Sequence, residues 1–153
     1  MIRVETATLP RLESPIFVDV VDYDAHRTDI HYIRQSVFVC EQRVPLAFET
    51  DRLDPDCRHV LARWNGWAVA TGRLTPEGRI GRVSVTQPLR RRGVGRQVME
   101  TLLATAKAEG HSRVFLAAQC HAIPFYEKLG FRTEGRVYRE VGIEHITMGK
   151  VLS

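Results

Sequence analysis

Arg90-Arg91-Arg92-Gly93-Val94-Gly95-Arg96 is the stretch from which the whole chain is best read. It follows an apolar run from Ile80 to Val85 and opens a helical pattern that closes at Gly110. Two glycines at the mouth of a helix let backbone N–H groups converge on one point, and the first-turn donors have no partners inside the helix. An anion fits there. Four arginines in and beside the turn add side-chain charge to the partial positive charge of the helix start. The ligand suited to both is multiply charged, a phosphate group rather than a lone carboxylate.

Upstream of the turn, three strands are expected in an antiparallel row. Residues 59–64 and 67–74 flank Asn65-Gly66, a dipeptide that favours two-residue hairpin turns. Thr75-Pro76-Glu77-Gly78 turns the chain into a strand over 79–85. Downstream, Val94, Val98, Leu102 and Ala106 recur every four residues, with Met99 and Leu103 beside them, and Gly110 suits the helix C-terminus. Residues 113–118 then read as a strand parallel to 79–85, reached by a right-handed crossover. Pro124 fits the first turn of a helix with Ile123, Tyr126 and Leu129 on one face and Gly130 after it. Residues 131–133 form a short strand, and 145–152 alternate as an antiparallel strand with one covered face would.

Residues 1–15 carry Pro10 and little periodicity, and read as an N-terminal arm before a single domain over 16–153. Residues 16–21 are rich in β-branched side chains and form the first strand. Ile30, Ile33, Val37 and Phe38 share a helix face, with Asp24 or Asp29 as the start signal and an end near Cys40 or Gln42. From Glu41 to Asp56 the chain is acidic and without period, which makes it either a binding loop with room for a short helix or a solvated surface loop.

The 153 residues, 44% hydrophobic and 26% charged, suit one domain with one substantial core. No apolar run approaches the roughly 20 residues of a membrane span, and the N-terminus lacks the apolar segment of an export signal. A cytoplasmic protein without membrane contact is expected. Cys40, Cys57 and Cys120 are odd in number and widely spaced, so they read as reduced packing residues, not a disulfide or zinc framework. The net charge of +4 is accounted for by Arg90, Arg91, Arg92 and Arg96 alone. With no aromatic residues interleaved among them, nucleic acid is not the expected partner.

The element order, taken with Arg90-x-x-Gly93-x-Gly95, resembles the GNAT superfamily of acyl-CoA N-acyltransferases. Val83-Ser84-Val85 before the turn and Phe125-Tyr126-Glu127-Lys128-Leu129-Gly130-Phe131 after it strengthen the likeness. Val37-Phe38-Val39-Cys40-Glu41-Gln42, Val44-Pro45, Ala118-Gln119-x-His121-Ala122 and Gly142-Ile143-Glu144-His145-Ile146-Thr147-Met148 are similar to the ElaA-like branch of that superfamily. The resemblance implies an α/β (α+β) domain with a mixed, mostly antiparallel central sheet, helices on both faces and a splayed parallel strand pair. It implies acetyl-CoA as co-substrate, held by Val83, Ser84, Val85, Arg90, Arg91, Arg92, Gly93, Val94, Gly95, Arg96, Gln119, Phe125 and Tyr126.

Acetyl transfer from a thioester to an amine needs a neutral nucleophile, a stabilised oxyanion and a donor to the leaving thiolate. By the same resemblance a backbone N–H near Val85 serves the oxyanion and Tyr126 the thiolate, a phenol that stays protonated at neutral pH. The base is open: Glu49 is placed in that role, with Glu41, His121 and His145 as alternatives. Glu41, Glu49, Asp51, His121 and His145 are the expected acceptor-binding residues, and an acidic loop would draw a cationic amine. Cys120 beside His121 invites a covalent reading, but sequence neighbours point in different directions. No metal is expected. The acceptor is a small-molecule or peptide amine, its pocket built from residues 41–56 and 135–142, and the protein a monomer or homodimer. The rival reading is a non-catalytic CoA-binding or sensory module.

Overall fold

β1 (Ile16–Val21), β2 (Arg58–Trp64), β3 (Trp67–Leu74) and β4 (Ile80–Val85) form one antiparallel sheet, in that order, in the computed structural model, which describes residues 14–153. The N-terminal arm therefore lies almost wholly outside the described residues. Asn65 and Gly66 take φ of 49° and 78°, the left-handed pair that a two-residue hairpin turn requires. β5 (Arg113–Gln119), β6 (Arg132–Glu140) and β7 (Ile143–Val151) form a second antiparallel sheet, ordered β5-β7-β6. The two sheets touch through a single parallel bridge, Arg79 with Phe115. Past that bridge β4 and β5 part, so the splayed pair anticipated from the sequence is present, with its parallel pairing reduced to one point.

A bulge in β4 turns the strand where the two sheets separate. Thr71 pairs with Ser84 and Arg73 with Gly81, so Arg82 and Val83 together oppose the single residue Gly72. Arg82 takes a left-handed φ of 53°, an uncommon conformation for a side chain of that size. Gly72 is tightly enclosed: a Cβ there would meet Leu102 at 2.9 Å and Val98 at 3.0 Å.

α1 (Tyr23–Arg34) begins at Asp22, whose carboxylate accepts from the Ala25 N–H at 2.9 Å. Asp24 and Asp29, the start signals read from sequence, fall inside the helix; Asp22 alone of the three has the extended backbone of an N-cap. Over Gln35–Glu41 the helix widens to π geometry, and the Gln42 N–H reaches back to the Val37 carbonyl at 3.1 Å. The acidic stretch is not a bare loop. It holds α2 (Leu46–Glu49) and a 3-10 turn at Asp54–Asp56.

α3 (Val94–Ala108) and α1 cover opposite faces of the first sheet, as the alternation along β2 requires. Val60 and Ala62 pack in one cluster with Val94, Val98 and Leu102 of α3, whereas Leu61 between them packs with Ile30 and Ile33 of α1. Val98, Met99 and Leu102 are wholly buried, each contributing about 1.5–3 kcal/mol. α4 (Ile123–Lys128) follows a 3-10 turn at Cys120–Ala122.

The end of the chain differs from its sequence reading. β6 runs over nine residues, with a register irregularity between Glu134 and Tyr138 and a turn at Val141-Gly142, in place of a short strand over 131–133 and a loop over 135–142. β6 is the outer strand of its sheet and mostly exposed, so it lacks the apolar alternation by which a covered strand is recognised. Cys57 is buried, but Cys40 is exposed and does not pack as expected of it.

Candidate active site

The turn before α3 builds an anion cradle from backbone. Arg91 and Gly93 both take left-handed φ, 60° and 79°, and α3 starts directly after. Alternating left- and right-handed residues turn successive N–H groups to one side, and Val94, Gly95 and Arg96 present first-turn amides. The first helical bond of the segment is from the Gln97 N–H to the Gly93 carbonyl, at 3.1 Å. A Cβ on Gly95 would lie 3.5 Å from Val85 and 3.6 Å from Phe125, ordinary contact distances, so anything longer than alanine must project into the opening between β4 and α4.

That opening is a groove of about 900 Å³ running from the cradle along the parted strands. All the residues assigned to the cofactor from sequence border it except Arg92, which lies outside the lining. The Arg90 side chain is spoken for: its Nε donates to the Val85 carbonyl at 2.9 Å and its Nη atoms grip Glu41 at 2.6 and 2.8 Å. Arg96 turns back to Glu100 at 2.8 Å. Of the four arginines, these two have their side chains engaged within the chain. Across the groove, the Gln42 and Gln119 amides pair reciprocally at 3.3 and 2.9 Å, joining the end of the π segment to the end of β5.

Tyr126 stands on the wall opposite β4, its ring edge-on to Phe125 and Phe131 at 5.0 and 6.0 Å between centroids. Burial pushes its phenol up to about 12. It is therefore protonated throughout the neutral range and can donate.

A buried ion-pair network, invisible in the sequence, stands behind the other wall. Arg34, 1% exposed, binds Glu49 through Nε at 2.7 Å and Asp54 through Nη1 at 2.9 Å. Arg73 binds Asp54 at 2.8 Å and both oxygens of Asp51 at 2.7 Å. Glu49 borders the groove, yet its side chain is 0% exposed and both oxygens are held: Oε1 also accepts from His31 Nδ1, and Oε2 from the Thr50 hydroxyl, each at 2.8 Å. With Nδ1 donating to Glu49, His31 Nε2 accepts from the Tyr23 hydroxyl at 2.5 Å. Glu49, Asp51 and Asp54 of the acidic stretch are thus each paired with arginines from outside it. Glu41 is bound to Arg90 and does not border the groove, so neither it nor Asp51 is left to draw a cation.

His121 is exposed at the groove rim, and His145 is half-buried with Nδ1 donating to the Ile143 carbonyl at 2.8 Å and its ring stacked on Tyr138. Sequence reasoning missed Arg34, Asp54, Arg73 and Arg82 as contributors. Only a charge recurring at apolar positions of α1 and β3 hinted at them, since Arg34 follows Ile33 and Arg73 precedes Leu74 in otherwise buried runs.

The network sets an acid sensitivity. Hydrogen bonds from Arg73 hold the Asp51 carboxyl well below the usual carboxylate range. Burial raises Asp54, but Arg34 and Arg73 outweigh it and the net shift is downward; burial lowers His59. All three folded-state values lie below the unfolded ones, so their stabilisation is complete above about pH 6.5 and is lost as pH falls, first through His59 and then, below about pH 4, through the carboxylates. Melting temperature should decline between pH 6.5 and 4 and fall more steeply beneath it. A flat profile from pH 7 to 3 would contradict the network.

Among the described residues no helix is long and apolar enough to cross a membrane, and no group of His, Cys, Asp or Glu could hold a metal ion. The chain matches the family model of the acetyltransferase (GNAT) domain over residues 21–152. A UPF0039 protein of Schizosaccharomyces pombe is 41% identical over 127 residues, 78% of this chain and 84% of that protein. Protein ElaA of Escherichia coli is 37% identical over 126 residues, 77% of this chain and 82% of that one, and its crystal structure is similar with a TM-score of 0.81 at 32% identity, over 89% of this chain and 99% of that chain. The crystal structure of an acyl-CoA N-acyltransferase from Pseudomonas aeruginosa gives a TM-score of 0.75 at 32% identity, over 91% of this chain and all of that one. On a family match across most of its length and relatives more than a third identical, the chain belongs to the GNAT acetyltransferases, in their ElaA-like branch.

Proposed function

We propose that the protein is an N-acetyltransferase that moves an acetyl group from acetyl-CoA to a primary amine by direct attack in a ternary complex. The observation that carries this reading is the single groove that joins a backbone anion cradle at residues 91–96 to a protonated, half-buried Tyr126. The cradle takes the pyrophosphate. The pantetheine arm runs along the outer edge of β4, whose ladder groups β5 has left after the Arg79–Phe115 bridge, and pairs with it as an added strand. The thioester then lies near the β4 bulge, where a backbone N–H near Val85 meets the developing oxyanion.

A neutral amine attacks the carbonyl, the C–S bond breaks, and Tyr126 donates a hydrogen bond to the departing sulfur. Full transfer of the phenol proton would run uphill by roughly three pKa units against an ordinary thiol, so Tyr126 stabilises the thiolate while the proton shed by the amine completes the thiol. Glu49, held on both oxygens, fixes the loop beside the groove, and water takes any proton an ammonium must lose first.

Two measurements test this. Saturating coenzyme A should raise the melting temperature, and acetyl-CoA with an amine panel should release free thiol. Absence of stabilisation would overturn the site; stabilisation without thiol release from any amine would leave a CoA-binding module instead. Gly95→Glu should weaken CoA binding by two orders of magnitude or about 2.7 kcal/mol, because its carboxylate enters the cradle, whereas Gly95→Ala should bind nearly as the parent does. Equal affinity of parent and Gly95→Glu would place the phosphates elsewhere.

A further inference from the structure

Resting on the acetyl-transfer reading above, we infer that the acceptor is an amino acid: a primary amine carrying a carboxylate that Arg79 and Arg82 bind, and an apolar side chain. Arg82 stands on β4 and Arg79 immediately before it, at the bridge to Phe115, and both border the groove. They differ from the other arginines of this wall in how they are partnered. Arg34 and Arg73 make short ion pairs inside the network, at 2.7–2.9 Å. Arg82 is only loosely held: its contacts to the Glu49 and Phe48 carbonyls and to Asp51 measure 3.3, 3.2 and 3.3 Å, and that Asp51 is already bidentate with Arg73. Arg79 is exposed, and its side chain has no ion pair among the described residues.

Charge on this wall favours an anionic group. Glu49, Asp51 and Asp54 are matched one for one by Arg34, Arg73 and Arg82, so no acid is left over to pair with a cationic acceptor, and Arg79 adds a positive charge beyond the balance. Burial lowers the Arg82 guanidinium, and repulsion from Arg73 and Arg34 lowers it further. A second carboxylate beside it would relieve that repulsion. The left-handed backbone of Arg82 belongs to the β4 bulge, and its guanidinium lies against the Phe48 and Glu49 carbonyls on the groove wall. The exposed Glu140, also in the groove lining, supplies the opposite sign for an amine, and Phe48, Leu53 and Val141, 59%, 44% and 42% exposed, offer apolar surface to a side chain.

The chemistry balances. The neutral amine forms a C–N bond to the acetyl carbon as the C–S bond breaks, its proton ends on the coenzyme A sulfur, and the products are an N-acetyl amino acid and coenzyme A.

Thiol release should be measured with phenylalanine, leucine and methionine against phenethylamine and phenylalaninamide, which keep the ring and the amine but carry no carboxylate. The expected result is a kcat/KM for the best amino acid about tenfold or more above both neutral analogues. Arg79→Gln, an exposed site whose backbone N–H stays bonded to the Thr75 hydroxyl, should raise KM for that amino acid about tenfold, with the CoA-induced rise in melting temperature retained. Arg79→Lys should recover part of the loss. Turnover of phenethylamine or phenylalaninamide equal to that of the amino acids, or an unchanged KM in Arg79→Gln, would overturn the inference while leaving the acetyl-transfer reading in place. Thiol release from no amine at all would overturn that reading, and this one with it.

Discussion

Replacing Arg34 with leucine should destabilise the fold by about 3–5 kcal/mol, the cost of stranding buried charge. Arg34 binds Glu49 and Asp54, whose side chains are 0% and 1% exposed, and donates as well to the Glu49 carbonyl through a very short contact. Without it, Asp54 keeps Arg73 and Glu49 keeps His31, but two buried carboxylates share one fewer guanidinium. At roughly 2–4 °C per kcal/mol for a chain of this size, the melting temperature should drop by about 10 °C. The deficit should shrink below pH 4, where protonated carboxyls no longer need the partner. Urea unfolding at pH 7 and about pH 3 measures both effects; a loss under about 1 kcal/mol at pH 7 would mean that the network contributes little.

Tyr126→Phe should lower kcat about 100-fold, with little change in affinity for coenzyme A. The substitution keeps the edge-on packing against Phe125 and Phe131 and removes only the hydroxyl. Loss of one donor to a developing charge in a site shielded from water costs typically 10²–10³ in rate. The lower end applies because a phenol at about 12 donates a hydrogen bond more readily than it gives up its proton. For the same reason the parent's activity should show no basic limb from Tyr126 below about pH 11. Thiol release over pH 6–10 for parent and variant decides this, and turnover within threefold of the parent would assign the role to another group.

The features legible in the chain were those encoded within a few residues. The Asn65-Gly66 hairpin, the four-residue repeat of α3 and the glycine turn before it each depend on the backbone preferences of neighbours, and each stands where the sequence put it. Pro124 and Gly130 bracket the short helix that carries Phe125 and Tyr126, whereas the expectation that these two face the groove rests on the family resemblance. Misreadings came where long-range partners decide. Glu49 looked like an available base in an acidic loop, but Arg34, 15 residues away, and His31, 18 away, hold it inside. β6 extends well beyond the short strand expected over 131–133, because ladder pairing to β7, with no buried face to mark it in the sequence, makes residues 135–140 strand as well.

The order of residues was sufficient for most of the elements, their sequence along the fold, the glycine turn before α3 and the family resemblance, since helix period, turn chemistry and capping act over one to four positions. Only the folded molecule decided where β4 and β5 separate, that Glu49, Asp51 and Asp54 are ion-paired, and which arginines border the groove without a short ion pair. The reason is the same in each case. A bulge, a buried ion pair and a spare guanidinium are defined by what lies across from them, at separations of roughly 10 to 50 residues that no local pattern records.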